Sequence, residues 1–347
     1  SHTCALKPDR TVVCWGNNAD GKLGGTPAVD FITQVAVAGL TDVAALSLGT
    51  NHSCALKTDG TVRCWGRNVS GQLGNNSFVD STDTVQVTPL GAQKMLSAGA
   101  NHTCTVSNAN AGFVRCWGEN SFGQLGNGET TDNATAQFVS GLTDAVAVSA
   151  GGFHTCALKA NSTVVCWGSN SQGQLGDGTV VNSSTTVAVT GLGNVVAISS
   201  GTSYTCALKA EGTVECWGNN SQGQLGDGTN TDANAPVAVS GLTGVVALAA
   251  GSDHACALKA DGSAACWGDN LAGQLGDTTI VDKNTPVAVV GLSGAVAVNA
   301  GTNYTCALKS DGSASCWGAN ASGRLGDGST NDGSSPVAVS GGAVYWK

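Results

Sequence analysis

Fourteen cysteines are the residues of this chain with the most evident chemistry, and they form seven pairs. The pairs are Cys4 with Cys14, Cys54 with Cys64, Cys104 with Cys116, Cys156 with Cys166, Cys206 with Cys216, Cys256 with Cys266, and Cys306 with Cys316. Cysteines this far apart across a turn match no zinc motif, since the chain has no CxxC. They match facing positions of a β-hairpin, where Cα atoms about 5 Å apart allow a disulfide. We therefore predict seven cross-strand disulfides, one per copy, and no metal site.

The residues between the cysteines predict the register of each hairpin. Thr58-Asp59-Gly60 is typical of a three-residue loop with glycine in the left-handed conformation, which places Cys54 opposite Cys64. The third copy keeps this register, because its two extra residues are inserted symmetrically between Cys104 and Cys116. Stable disulfides need an oxidising compartment. The pairs thus predict a secreted, extracellular or cell-surface protein, with a leader that is removed or lies outside this sequence.

A second group of residues with chemical potential recurs two positions before the first cysteine. Histidine stands there in five copies and tyrosine in two: His2, His52, His102, His154, Tyr204, His254 and Tyr304. A ring of imidazoles that binds metal or senses pH is one hypothesis. The other is a structural residue whose ring hydrogen-bonds a neighbouring turn. We favour the structural role, because tyrosine supplies a hydrogen bond but replaces histidine poorly as a metal ligand.

Paired aspartates in the long loops suggest two alternatives. The first set is Asp177, Asp227, Asp277 and Asp327, and Asp232, Asp282 and Asp332 follow five residues after the last three. Their carboxylates could hold Ca²⁺. Tight turns also select aspartate, because its side chain hydrogen-bonds local backbone groups. The spacing matches no calcium motif, so we favour turns.

No motif for catalysis is present. The chain lacks a Gly-x-Ser-x-Gly elbow, a His-Glu-x-x-His motif and a phosphate-binding loop. We expect no enzyme activity and no cofactor. An enzyme would require carboxylates with shifted pKa values in a central pocket.

The elements that position these residues follow from a repeat of about 50 residues. In the unit 236–286, four short strand-like runs are separated by Gly, Asp and Asn, and no segment shows helical periodicity. Seven such units predict an all-β fold, a seven-bladed β-propeller of four-stranded antiparallel blades that forms one domain over residues 1–347. One tryptophan per copy is expected to fill space between blades. These are Trp15, Trp65, Trp117, Trp167, Trp217, Trp267 and Trp317.

The chain ends predict how the ring closes. Residues 307–347 together with 1–4 fall about five short of a full repeat. We therefore expect Ala343–Trp346 to form a strand beside Thr3–Leu6, so that the N- and C-terminal strands share a blade and leave no exposed edge. The alternative is that this strand pairs with another copy and gives swapped oligomers or fibres.

Composition and charge exclude two partner classes. The formal net charge is −9 with only 15 basic residues, whereas nucleic-acid binding needs basic residues to neutralise phosphates. No apolar run is long enough to span a membrane. We expect neither nucleic-acid binding nor a membrane span.

The segments 52–74 and 154–179 both contain the pattern Trp-Gly-x-Asn-x-x-Gly-Gln-Leu-Gly. This pattern resembles the repeats of the regulator of chromosome condensation family of seven-bladed propellers, and the resemblance covers the whole chain. The paired cysteines resemble a secreted bacterial branch of that family. The resemblance thus implies the same propeller fold.

The resemblance implies some functions of that family for this chain more strongly than others. Nuclear members exchange guanine nucleotide on a small GTPase and bind chromatin through basic surface that this chain lacks. Plant members sense UV-B light through tryptophan in a Gly-Trp-Arg-His-Thr segment, and here that register contains Gly49-Thr-Asn-His52 without tryptophan. A secreted member that inhibits β-lactamases implies that the scaffold can present a protein-binding face.

The first three copies depart most from the repeat consensus. All six phenylalanines and four of five arginines lie in the first half of the chain, and such side chains are enriched in binding hot spots. We predict a partner-binding surface that includes Arg63, Arg67, Phe113, Arg115 and Phe122. Ordinary drift in a repeat array would produce the same differences.

These observations favour a secreted binding propeller without catalytic activity, whose partner is a protein or a surface polymer. The alternative is a structural subunit of an extracellular fibre or sheath, that is, a homopolymeric assembly. An enzyme and guanine-nucleotide exchange rank below both.

Overall fold

The computed structural model describes residues 1–25, 29–108 and 112–341. This part of the chain contains 27 β-strands and no helix. The strands form seven antiparallel sheets in chain order, which are the blades of the propeller. The predicted all-β seven-bladed fold is therefore confirmed.

The blades are numbered along the chain. Blade 1 contains β1 (His2–Leu6), β2 (Val12–Gly16) and β3 (Phe31–Ala36). Blade 2 contains β4 (Val43–Leu48), β5 (His52–Lys57), β6 (Val62–Gly66) and β7 (Ser81–Gln86). Blade 3 contains β8 (Gln93–Ala98), β9 (His102–Ser107), β10 (Val114–Gly118) and β11 (Asn133–Phe138). Blade 4 contains β12 (Ala145–Ala150), β13 (His154–Lys159), β14 (Val164–Gly168) and β15 (Ser183–Ala188).

The remaining three blades repeat this pattern. Blade 5 contains β16 (Val195–Ser200), β17 (Tyr204–Lys209), β18 (Val214–Gly218) and β19 (Ala233–Ala238). Blade 6 contains β20 (Val245–Ala250), β21 (His254–Lys259), β22 (Ala264–Gly268) and β23 (Lys283–Ala288). Blade 7 contains β24 (Ala295–Ala300), β25 (Tyr304–Lys309), β26 (Ala314–Gly318) and β27 (Gly333–Ala338). The first strand of each four-stranded blade lines the central cavity, and the fourth is outermost.

One disulfide per blade joins the two strands of the cysteine hairpin. The paired cysteines directly face each other in the strand register, and their Cα atoms are 4.0–4.1 Å apart. The chain has no free cysteine. All seven predicted disulfides are confirmed: Cys4 with Cys14, Cys54 with Cys64, Cys104 with Cys116, Cys156 with Cys166, Cys206 with Cys216, Cys256 with Cys266, and Cys306 with Cys316.

The hairpin loops have the predicted form. In blade 2, Gly60 has a φ of +82°, and Lys57 N–H donates to the Thr61 carbonyl at 2.8 Å. In blade 3, Cys104 still faces Cys116 across the longer turn. The symmetric insertion therefore preserves the register, as expected.

The boundaries between blades differ from those of the sequence unit 236–286. The strand that contains Pro236 is β19, which pairs with β18 and belongs to the preceding blade. The long loop before it therefore lies within a blade, between the third and fourth strands. The sequence of a short strand does not show whether it pairs with the strand before a long loop or with the strand that follows it. The boundary predicted from the sequence is shifted for this reason.

The hydrophobic core lies between blades. Trp267 of blade 6, for example, is fully buried in a cluster with Cys206, Cys216 and Leu225 of blade 5. All seven repeated tryptophans are fully buried. Their predicted packing role is consistent with these clusters.

Blade 7 and blade 1 close the ring. Trp15 and Ala5 pack against Leu308 and Ala314 in one buried cluster. The strand expected at Ala343–Trp346 lies outside the described residues. No helix in the described ranges is long and apolar enough to cross a membrane.

Strands of alternating direction place the connections on two opposite faces. We call one the loop face: it carries the turn between first and second strands (49–51 in blade 2) and the long loop between third and fourth strands (67–80). The other is the hairpin face: it carries the hairpin turn between second and third strands (58–61) and the connection to the next blade (87–92).

Candidate functional site

The histidine register links neighbouring blades through buried hydrogen bonds. His52 Nε2 lies 2.8 Å from Thr103 Oγ1 of the next blade, and Thr103 Oγ1 donates to the Gln72 carbonyl, 3.2 Å away. A hydroxyl has one proton, so His52 Nε2 carries the hydrogen and donates to Thr103. The same contact joins His2 to Ser53, His102 to Thr155, His154 to Thr205, and His254 to Thr305.

These imidazoles are neutral at ordinary pH. Burial lowers the pKa of His52, His154 and His254 to about 4 and, with smaller effects from neighbouring histidines, that of His102 to about 3. Within the described ranges, no three or more His, Cys, Asp and Glu side chains group to hold a metal ion. The rings thus act as interblade hydrogen-bond donors, and their partner is a hydroxyl of the next blade rather than a neighbouring turn.

Tyrosine makes a different contact in the same register. Tyr204 Oη donates to the His254 carbonyl, and Tyr304 Oη donates to the His2 carbonyl at 2.7 Å. Ala255 follows His254 where every other blade has Thr or Ser, so the Tyr204 interface lacks the hydroxyl relay. The phenol reaches the backbone of the next blade directly.

The carbonyl of the residue between Gly and Leu in Gly-Gln-Leu-Gly accepts the indole N–H of the next blade and, at five interfaces, a hydroxyl as well. The Gln72 carbonyl accepts from Trp117 Nε1 at 2.9 Å as well as from Thr103. The indole contact recurs in all seven blades. Tryptophan is therefore fixed in orientation as well as packed.

The loop aspartates cap turns. Asp177 Oδ1 accepts from the Thr179 backbone N–H at 2.9 Å, and the equivalent bonds recur at Asp227, Asp277 and Asp327. The second aspartates accept backbone N–H groups across the loop, as Asp232 does from Asn220 at 2.8 Å. Local backbone donors therefore occupy the oxygens that a calcium site would use.

Two carboxylates of blade 6 have raised pKa values. Burial is the main cause for Asp253 and Asp269, and the charge of Asp269 adds to the effect on Asp253. Gln274 Nε2 donates to Asp269 Oδ2 at 2.7 Å, and Gln224 donates to Asp253. Neither aspartate lines the central cavity, which is where an enzyme would require its carboxylates.

The central cavity has a volume of about 410 Å³ and is built from small side chains and backbone. Ser47, Ser97, Ser149 and Ser199 line it, and each accepts a backbone N–H of the next inner strand. These hydroxyls join the innermost strands of blades 2 to 6. The cavity thus presents neutral polar groups and no lining Asp, Glu, Lys or Arg among the described residues.

The hairpin face of blade 3 brings together two of the five predicted partner-binding residues. The Arg115 guanidinium lies 4.1 Å from the centroid of the Phe138 ring, and Phe113 meets Phe138 edge-on at 5.8 Å. Arg115 Nη1 also donates to the Pro89 carbonyl at 3.2 Å, which fixes the stacked position. Phe113 is 37% exposed and Phe138 is 53% exposed. We call Phe113, Arg115 and Phe138 the blade 3 cluster.

A shallow cavity adjoins this cluster. It has a volume of about 350 Å³ and is lined by Phe113 and residues 138–143, with an almost wholly apolar wall. A cation on an aromatic ring beside an apolar hollow is an arrangement found at protein-binding hot spots.

The other three predicted residues lie elsewhere. Arg63 occupies the position of Arg115 in blade 2, but it faces Gln86 and its Nη1 donates to the Thr84 carbonyl. Arg67 lies on the loop face. Phe122 lies there too, edge-on to Phe153 of blade 4 at 5.5 Å. The five residues therefore do not form one surface.

Phe138 belongs to the blade 3 cluster but is not among the five partner-binding residues predicted from the sequence. It directly faces Arg115 in the β10–β11 register. Recognition of β11 as the partner of β10 would have exposed this pair, because facing residues of antiparallel strands have side chains in contact.

Solved structures show the same fold at low sequence identity. Yeast RCC1 (Prp20) bound to Kap60 is 21% identical with a TM-score of 0.87, covering 97% of this chain and 85% of that one. Human WBSCR16 is 23% identical with a TM-score of 0.84, covering 95% and 94%. The ectodomain of the Physcomitrella patens receptor kinase CR4 is 24% identical with a TM-score of 0.59, covering 91% and 70%.

Sequence comparison identifies the family. No curated protein sequence matches the chain significantly. The family model of the RCC1-like domain matches residues 1–278 and, in an overlapping second match, residues 84–347. Seven blades with the interblade contacts described above fit that assignment, and the chain belongs to the RCC1-like domain family.

Proposed function

We propose that this propeller is an extracellular binding protein that recognises a partner protein through the blade 3 cluster and has no catalytic activity. The observation that carries the proposal is the exposed stack of Arg115 on Phe138 beside Phe113. Arginine and aromatic residues dominate interface hot spots. Since Pro89 already holds Arg115 over the ring, a partner would lose little side-chain entropy on binding.

A disulfide in every blade supports the extracellular location, because such bonds persist in oxidising compartments. The fold similarity to a receptor-kinase ectodomain is compatible with it. A solved relative also supports a protein partner, since yeast RCC1 (Prp20) is bound to Kap60 in one structure and is described with binding to Gsp1p and histones in another. The engagement of the histidines in interblade bonds supports a role other than catalysis.

Guanine-nucleotide exchange is the second candidate, because the solved relatives include yeast RCC1. Acceleration of labelled GDP release from a small GTPase by the purified chain would favour exchange over the proposed extracellular role. We expect no acceleration.

The blade 3 cluster offers a matched pair of variants. Arg115→Ala removes the cation of the cluster, whereas Arg63→Ala removes the equivalent arginine of blade 2, which faces Gln86 instead of an aromatic ring. We expect cross-linking in the native extracellular fraction to capture a partner with the unaltered chain. Capture should fall at least about tenfold with Arg115→Ala or Phe138→Ser and remain with Arg63→Ala, as is typical of a hot spot.

Equal capture by all variants would refute the assignment of the cluster. A captured polysaccharide in place of a protein would show that the partner is a surface polymer. Ordered polymers of the unaltered chain alone, seen by electron microscopy, would favour the fibre or sheath instead.

A further inference from the structure

The two faces of the propeller differ strongly in charge. Among the described residues, the loop face carries fifteen acidic and four basic side chains, whereas the rest of the propeller carries nine acidic and ten basic ones. The loop-face acids are Asp20, Asp30, Asp80, Glu119, Glu129, Asp132, Asp177, Asp227, Asp232, Asp253, Asp269, Asp277, Asp282, Asp327 and Asp332. The loop-face bases are Lys22, Arg67, Lys283 and Arg324. The net negative charge therefore resides on the loop face.

At two adjacent loop positions, the loop face exposes apolar side chains in every second blade from blade 2 to blade 6, in addition to the single exposed residues Val69, Phe122 and Leu271. The exposed pairs are Phe78-Val79 in blade 2, Val180-Val181 in blade 4 and Ile280-Val281 in blade 6. Each of these six side chains is 53–73% exposed. Blade 1 exposes Val29 at the second position of the same pair.

Blades 3, 5 and 7 have polar residues at the same two positions. Their pairs are Thr130-Thr131, Asn230-Thr231 and Thr330-Asn331. The difference is therefore not a demand of the fold. Water-exposed apolar pairs that the fold does not require mark an interaction surface.

The loop holds these pairs outward in a fixed conformation. Asn68 Nδ2 donates to the Val79 carbonyl at 3.0 Å, and Asn270 Nδ2 makes the same bond to Val281 at 3.2 Å. In the polar blade 5, Asn220 Nδ2 donates to the Thr231 carbonyl at 3.1 Å. Because the bond goes to the backbone, apolar and polar pairs occupy the same loop geometry.

The negative charge of the loop face indicates which kind of partner could bind there. An anionic lipid surface would be repelled by the net negative charge of the loop face. A second copy stacked head to tail would present the exposed valines of its hairpin face, Val146, Val196, Val246 and Val296. Those valines lie on the innermost strands, whereas the apolar pairs lie on loops that lead to the outermost strands, so the two sets would not meet. The outer edge of the hairpin face exposes Phe113 and Phe138 in blade 3 and Val290 after blade 6, which would not match pairs in blades 2, 4 and 6.

We propose that the loop face is a docking surface for a basic protein whose apolar side chains contact the pairs of blades 2, 4 and 6. Opposite charge would speed the encounter, and contact with the apolar pairs would supply specificity. The blade 3 cluster lies on the opposite face, so this proposal and the proposed function fail independently.

The polar blades supply the test variant. Phe78→Thr with Val79→Thr, Val180→Asn with Val181→Thr, and Ile280→Thr with Val281→Asn give blades 2, 4 and 6 the pairs of blades 3, 5 and 7. This loop-face variant keeps the charge and the loop bonds. The control variant is Val146→Thr, Val196→Thr, Val246→Thr and Val296→Thr, which removes exposed valines from the hairpin face.

The probes are two synthetic peptides of equal positive charge, one an amphipathic peptide of lysine and leucine and the other of lysine and serine. We expect the lysine–leucine peptide to bind the loop-face variant at least about tenfold more weakly than the unaltered chain. The control variant should bind it within about twofold of the unaltered chain. The lysine–serine peptide should bind the unaltered chain and both variants equally, and salt should abolish that binding.

Equal affinity of the loop-face variant and the unaltered chain for the lysine–leucine peptide would overturn the proposal. So would an equal loss in the control variant, which would indicate general apolar adhesion. Vesicles of anionic or zwitterionic lipid that bind the unaltered chain but not the loop-face variant would overturn it in favour of a membrane as the occupant. Self-association lost in that variant, measured by sedimentation, would overturn it in favour of a second copy.

Discussion

Five of the seven blade interfaces use histidine and two use tyrosine, and the two rings donate to different acceptors on the next blade. In the histidine interfaces, an imidazole donates to a hydroxyl of the next blade, as His102 does to Thr155 at 2.9 Å. In the tyrosine interfaces, a phenol donates to the next backbone carbonyl, as Tyr304 does to His2. The first kind depends on a buried base that can be protonated, and the second does not.

The comparison shows that a buried titratable group restricts the pH range in which an interface is stable, rather than the strength of its hydrogen bond at neutral pH. A neutral imidazole and a phenol can each make one good hydrogen bond in a dry interface. Only the imidazole gains a charge in acid, and a buried charge without a partner is costly. The four histidines from His52 to His254 have Nδ1 atoms without a hydrogen-bond partner among the described residues, so a proton added there would meet no acceptor already in place.

Acidification is expected to have the largest effect. Burial lowers the pKa of the histidines in the folded state to about 4, or about 3 for His102, from about 6.5 in the unfolded chain. Above about pH 6.5 both states are neutral and stability is unaffected. As the pH falls from about 6.5 to about 4, the unfolded chain binds more protons, so each such histidine lowers the free energy of unfolding by about 3 kcal/mol. Denaturant titration of the oxidised protein across this range measures the loss.

A free energy of unfolding that stays constant across this pH range would contradict buried neutral histidines. Turn aspartates such as Asp59 and Asp261 have lowered pKa values through bonds to the following Thr or Ser, so their stabilisation is lost only at lower pH. The two groups are therefore separable by their pH range.

Conversion of one histidine interface to the tyrosine kind should remove part of this acid sensitivity. His154→Tyr with Thr205→Ala copies the Tyr204–Ala255 pair onto the interface of blades 4 and 5. We expect the acid-induced loss of stability to shrink by about 3 kcal/mol, because one lowered pKa is gone. The same pH-dependent denaturation measures it, and His154→Tyr alone separates the ring from the missing hydroxyl. An unchanged pH dependence would show that His154 is not the titrating group.

Removal of one hydroxyl tests the relay at neutral pH. Thr103→Val leaves His52 Nε2 without its acceptor in a fully buried site. We expect a loss of about 2 kcal/mol in the free energy of unfolding, the cost of one unsatisfied buried donor. Thr285→Val, at an exposed position of β23 where the hydroxyl makes no hydrogen bond among the described residues, is the control for the substitution itself. A loss no greater than that of the control would mean that the relay contributes nothing.

The converse substitution should have the smallest effect. Ala255→Thr adds a hydroxyl to the Tyr204 interface, where the Gln224 carbonyl can accept it as the Arg324 carbonyl accepts Thr3 beside Tyr304. We expect a change of less than about 1 kcal/mol. Thermal unfolding of Ala255→Thr and of Thr103→Val compares the gain of a hydroxyl at a tyrosine interface with its loss at a histidine interface. A large loss would show that the tyrosine interface has no room for the relay.

The parts of this fold that local spacing determines could be predicted from sequence. The register of Cys54 and Cys64 follows from a turn of fixed form between them, and the equivalent pairs face each other in every blade. The blade boundary could not be placed, because Ala233–Ala238 is separated from its partner strand by a long loop without periodic pattern. The strand expected at Ala343–Trp346 lies outside the described residues.

The candidate sites were less accessible from sequence. Phe113 and Arg115 were identified, but Phe138 contacts them only because β11 pairs with β10 in one register. The histidine contacts join residues about one repeat apart in the sequence. A pattern within a single repeat cannot predict a contact over that distance. One signal for them was present, however: Ala255 departs from Thr or Ser in the blade that follows Tyr204. The other tyrosine, Tyr304, keeps Thr3 in the next blade, so the exchange at Ala255 is a weak signal of the contact.

The carbonyl of Gln72 receives both Trp117 and Thr103 from the following blade, and each repeat supplies the same acceptor forward and the same donors backward. A gene segment that encodes one repeat is thus a cassette with matching ends, which duplication can copy without altering its neighbours. Ala255 is the exception, because it lacks the hydroxyl donor. Tyr204 tolerates this loss, since its phenol bonds a backbone carbonyl that every repeat offers, and Tyr304 makes the same bond with Thr3 present. A cassette can therefore change its ring residue without a matching change in its neighbour.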